Sequence, residues 1–129
     1  MSGLTEFLLS HPVRELEEEV ILSHRLANHP FRIVSMSGEE VERYLQASRK
    51  EGKKAGFDSQ RFQMQVILNH TLEPDFRDVR LLDQAGCRRP EDFVNQFLLA
   101  GEIATLVRQI AKLSGYDQDF GTLRSEAKN

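Results

Sequence analysis

The spacing of apolar residues changes period twice along the chain. Leu4, Phe7, Leu8 and Leu9 cluster on one side at helical spacing, and Pro12 blocks extension, so a short N-terminal helix is predicted. Then Val20, Leu22, His24 and Leu26 alternate with Ile21, Ser23 and Arg25, and Phe31, Ile33 and Ser35 alternate with Arg32, Val34 and Met36. Period two is the strand pattern. Ala27-Asn28-His29-Pro30 between the two runs suits a turn, so the strands are expected to pair as an antiparallel hairpin. A lone hairpin is marginal in water, so helices must cover one face.

Ser37-Gly38-Glu39-Glu40 reads as a capping box, opening a helix with the stripe Val41, Tyr44, Leu45 and Ser48. Arg49 to Gly56, with two glycines and four cations, reads as a solvated loop. Asp58 or Ser59 can cap the next helix, which carries Phe62, Val66, Ile67 and His70 and which Pro74 ends. A short helix over 78–85 closes at Gly86 in left-handed geometry. Pro90 opens another, with Glu91 and Asp92 at the positive end of its dipole. Gly101 is expected to mark a kink or a junction. From Glu102, the stripe Ile103, Leu106, Val107, Ile110 and Leu113 is the clearest in the chain, ended by Gly115 with Tyr116 placed to pack back.

These elements predict one α+β domain over 1–116, mostly helical, with one antiparallel β-hairpin near the N-terminus. Residues 117–129 are polar apart from Phe120 and Leu123, and are expected to form a flexible tail. At 129 residues the length suits one domain, which can bury roughly two-thirds of its extended-chain surface.

Charge and composition mainly exclude. Seventeen basic against twenty acidic residues, net −3, give no general attraction to nucleic acid or acidic lipid. Lone Cys87 forms no disulfide within the chain, suits a reducing cytosol, and reads as a partly buried structural thiol. No apolar run approaches the roughly 20 residues of a membrane span, and the N-terminus lacks a signal peptide's pattern. His11, His24, His29 and His70 never fall at the spacing that puts two imidazoles on one helix face, so no metal site or cofactor is expected. His24 is expected on a strand face and His29 in a turn. The phosphate-loop, dinucleotide and hydrolase-elbow patterns are missing. Glu17-Glu18-Glu19 and Glu39-Glu40 read as solvated surface rather than an acid–base couple. No catalytic residue is assigned.

Three blocks stand out together: Phe31-Arg32-Ile33-Val34-Ser35-Met36-Ser37-Gly38-Glu39-Glu40, Leu98-Leu99-Ala100-Gly101-Glu102-Ile103-Ala104-Thr105-Leu106, and Leu113-Ser114-Gly115-Tyr116 with the closing Glu126-Ala127-Lys128-Asn129. In them the chain resembles the XkdN-like tail assembly chaperones of tailed phages and prophages. The resemblance implies a non-enzymatic protein of the host cytoplasm, absent from the mature virion. It implies binding to the tape-measure protein, which stays soluble until tail tube subunits replace the chaperone. It also implies a longer, frameshifted form, and Ala127-Lys128-Asn129 can be encoded by GCA-AAA-AAC, which holds the slippery run A-AAA-AAC. Self-association would suit coating a long partner, although no heptad run fixes a number.

The residues put forward for partner binding are Leu98, Leu99, Phe120 and Leu123. Phe93 and Phe97 are expected in the core, while Leu98 and Leu99 cannot both share their face. The stripe from Ile103 to Leu113 reads first as core and second as a partner groove or dimer seam. The alternative function is a small nucleic-acid-binding prophage regulator using the basic region from Arg49 to Arg61.

Overall fold

The computed structural model describes residues 2–13, 16–50 and 56–116. Among the described residues, six helices and a small antiparallel sheet make an α+β domain, as expected. Helix α1 (Gly3–Ser10) is capped by Ser2, whose hydroxyl accepts the Thr5 amide, yet none of its residues is buried. Strands β1 (Glu17–Val20) and β2 (Phe31–Val34) form the antiparallel hairpin, in register from Glu17↔Val34 to Val20↔Phe31.

The first strand is earlier and shorter than the alternation over 20–26 suggests. Beyond Val20 the chain leaves the ladder and makes a 3-10 turn over His24–Leu26, so His24 lies in a turn, not on a strand face. That turn is where Arg25 is drawn to a carboxylate 77 positions away, an attraction no local pattern encodes. The acidic run Glu17-Glu18-Glu19 is exposed on the sheet's edge strand, where charges discourage pairing with another chain.

Helix α2 (Gly38–Ala47) starts with the capping box: Ser37 Oγ accepts the Glu40 amide and Glu40 Oε1 accepts the Ser37 amide. The stretch expected as a loop carries a two-residue ladder, β3 (Arg49–Lys50) with β4 (Gly56–Phe57). Helix α3 (Ser59–His70) is capped by Asp58 and gives way directly to β5 (Thr71–Glu73), which pairs with β2 to make it the central strand. Three residues sandwiched between a helix and Pro74 carry no readable alternation, so this third strand was hidden in the sequence.

Helix α4 (Val79–Ala85) ends at Gly86 with φ 72°, a conformation that favours glycine. Helix α5 (Pro90–Phe97) begins at its proline. The junction foreseen at Gly101 falls at Leu98 and Leu99, both extended, and Gly101 sits inside the first turn of α6 (Ala100–Ala111). A π turn, Lys112–Tyr116, closes the chain's described part, with Gly115 at φ 98°.

The core lies between the sheet and α3, α5 and α6, centred on Ile33, Ile67, Phe76, Val94, Leu106 and Ile110. Phe76 joins the layers, its ring 6.3 Å from Phe31 and 5.9 Å from Phe93. Phe97 departs from expectation: it stacks on Phe93 at 4.6 Å but is 47 % exposed, since α5 stops there and only one of its sides meets the core.

Candidate functional site

Helix α6 places a different chemistry at each end. At its N-terminus, Glu102 is 1 % exposed and accepts from Ser23 Oγ, Arg25 Nε at 2.8 Å, Arg25 Nη2 at 2.6 Å and the Leu99 amide at 2.7 Å. Glu102 thus caps its own helix from the third position, although Leu99 has no side-chain oxygen to complete a box. Arg25 Nη2 also donates to the Phe97 carbonyl at 3.1 Å. The bond from Arg25 outweighs burial and holds the Glu102 carboxyl down to about 2, while Glu102 raises Arg25. This is a clamp between the β1–β2 connection and the α5–α6 junction, and it offers nothing to a substrate.

Toward the other end, Val107 and Ala111 form one wall of an apolar groove completed by Met36, Val41, Leu45, Phe62, Val66 and Tyr116. Its volume is about 420 Å³. Since a cavity of about 150 Å³ admits benzene, there is room for roughly two or three groups of aromatic size. Tyr116, expected to pack back on the helix, instead stands 64 % exposed at the groove's rim. Ser114 Oγ fixes the end wall, donating to the Ile110 carbonyl and accepting the Met36 amide at 2.8 Å. Within the Ile103–Leu113 stripe, Leu106 and Ile110 are core, as the first reading expects, and Val107 lines the groove.

The proposed contacts separate. Leu98 is half-buried against the core, and Leu99 is 58 % exposed beside the clamp. Leu99 and Ala111 are twelve helical steps apart, about 18 Å. Phe120 and Leu123 lie outside the described residues. The groove residues from α2 and α3 were missed as a site because each reads locally as part of an ordinary core stripe.

One buried polar cluster was also misjudged. Glu39 is exposed, but Glu40 is buried, drawn inward by its capping role, with Oε2 3.7 Å from His70 Nε2. Tyr44 Oη lies 2.7 Å from the same nitrogen. Glu40, Tyr44 and His70 could relay a proton, yet their atoms already engage one another across α2 and α3, which is how buried polar groups are usually satisfied. Cys87 is buried, as a structural thiol should be. Among the described residues no three His, Cys, Asp or Glu side chains gather as a metal site.

Of the basic region, Lys53 and Lys54 lie outside the described residues. Arg49 and Lys50 are exposed in β3, whereas Arg61 shares a cleft of about 560 Å³ with Arg89, Asp58 and Glu91, where the charges offset.

The blocks Phe31–Glu40, Leu98–Leu106 and Leu113–Tyr116 thus supply the capping box, the clamp and the groove's end wall. The family model of the phage XkdN-like tail assembly chaperone proteins matches residues 4–128. The chain belongs to that family. Similar relatives are the phage-like element PBSX protein XkdN of Bacillus subtilis (strain 168), 24 % identical over 98 % of this chain and 93 % of the relative, and YqbN of the same organism, 23 % identical over the same shares. The crystal structure of the protein YqbN superposes with a TM-score of 0.69 at 20 % identity, covering 92 % of this chain and 99 % of that one, so the two share a fold. Among the described residues no helix is long and apolar enough to cross a membrane.

Proposed function

We propose that this tail assembly chaperone binds the tape-measure protein, a long helical client, and keeps it dissolved in the host cytoplasm until tail tube subunits take its place. The apolar groove between α2, α3 and α6 carries this reading. An amphipathic helix presents side chains at i, i+3 and i+4, and a groove of this chemistry is what such anchors require. Leu98 and Leu99, and Phe120 and Leu123 four and seven residues beyond the rim residue Tyr116, are proposed as further client contacts. The role makes and breaks no covalent bond.

Co-expression with the cognate tape-measure protein tests the reading. Soluble client is expected to rise with the wild-type chain and to fall back when Ala111→Glu places a charge in the groove. Unchanged client solubility, together with a salt-sensitive shift of DNA or RNA, would install the nucleic-acid regulator instead. A longer frameshifted form is proposed as well. A Lys128 codon of AAG, or no overlapping downstream frame, would remove its support.

A further inference from the structure

Two apolar surfaces on this chain match each other. On α1, Leu4, Phe7 and Leu8 stand at i, i+3 and i+4, and the His11 ring stacks on Phe7 at 4.0 Å to extend the stripe. With Leu9 these residues are 56 to 70 % exposed. An eight-residue helix is not stable alone in water, and one with such a stripe needs a partner surface. The groove of Met36, Val41, Leu45, Phe62, Val107 and Tyr116 is the complementary surface, apolar and sized for roughly two or three large side chains.

We propose that α1 of one copy seats in the groove of a second copy, and reciprocally, to form a two-fold dimer. The stem of α1 is anchored next to the groove: Ser35 donates its hydroxyl to the Val13 carbonyl and its amide to the Leu16 carbonyl, and the next residue, Met36, is groove wall. Beyond that anchor α1 lies off the groove: none of its residues is buried and none lines the groove. A helix held off its own chain's matching groove is the arrangement that exchange between copies completes.

Area selects the reciprocal form. With a phenylalanine presenting about 150–250 Å² and leucines somewhat less, the exposed fractions on one α1 amount to roughly 400 Å². One helix in one groove then buries roughly 500 Å², the scale of a crystal contact, whereas two bury roughly 1,000 Å², about the least a specific interface needs. The dimer does not depend on what else the groove binds.

Light scattering on the eluting wild-type chain should give twice the monomer mass, and Phe7→Glu should give the monomer mass with an unchanged circular dichroism spectrum, since Phe7 supports no core residue. A wild-type monomer, or a dimer untouched by Phe7→Glu, overturns the proposal. Oxidising Leu8→Cys/Ala111→Cys then reports the seat: a covalent dimer supports exchange, while a disulfide within one chain, or none at all, overturns it. Phe7→Glu keeps its groove and is expected to retain client solubilisation, so failure of the dimer and failure of the chaperone reading are seen separately.

Discussion

The two ends of α6 solve opposite problems with the same helix. At the N-terminal end a carboxylate is taken almost wholly out of water and every approach to it is filled, by Arg25, Ser23 and the Leu99 amide. Toward the C-terminal end apolar side chains are left facing an open groove, and a single serine, Ser114, ties its wall to the sheet segment. A buried charge with its partners in place resists movement, because breaking one bond exposes the others to an unpaired ion. An apolar groove has no such demand and can exchange occupants. The clamp locks the segments it joins, whereas the groove leaves apolar surface open.

Substitutions can break or sharpen this contrast. The largest effect is expected from Ile110→Ala, which removes fully buried volume near the C-terminal end of α6: a loss of about 2–5 kcal/mol in urea unfolding. Glu102→Gln should cost about 1.5–3 kcal/mol, the range for hydrogen bonds to charged groups. It should also change the pH dependence. The folded carboxyl lies near 2, below its ordinary value of 4.5, so its contribution is fully present above 4.5 and is lost as pH falls toward 2. The variant's stability should fall less steeply across that window, and an unchanged slope would show that the clamp is not electrostatic.

Ser114→Ala should cost about 1 kcal/mol and speed amide exchange at Met36, leaving the Glu102 end protected. Smallest in stability is Tyr116→Ala, expected within about 0.5 kcal/mol because the ring is mostly exposed. Its signature should instead be reduced client solubilisation, and a variant that is both stable and fully active would remove Tyr116 from the docking surface.

Much of the fold was legible because its determinants are local. The capping box at Ser37 and Glu40, the Asp58 cap, Pro90 at a helix start, and Gly86 and Gly115 beyond helix ends each act within one turn. The β1–β2 hairpin was legible in kind but displaced in register, since Arg25 is held by Glu102 rather than by a neighbouring strand. β5 was not legible, because three residues are too few to show a period. Glu40 looked solvated because a pair of adjacent glutamates in sequence says nothing of which one the cap turns inward.

The site divides the same way. Leu99 could be suspected, as four consecutive apolar residues cannot share one helix face. The groove could not, because its walls come from α2, α3, α6 and the segments flanking them, and each residue fits a core stripe on its own element.

What the amino-acid order settled by itself was where helices begin and end, that two extended runs pair, and the short motifs shared with the XkdN-like chaperones, since these depend on neighbours within a few residues. Only the tertiary structure decided which apolar positions are sealed in the core and which remain open, and which glutamate finds its arginine. Burial and pairing are properties of segments brought together from far apart, and their free energy exists only once that packing has formed.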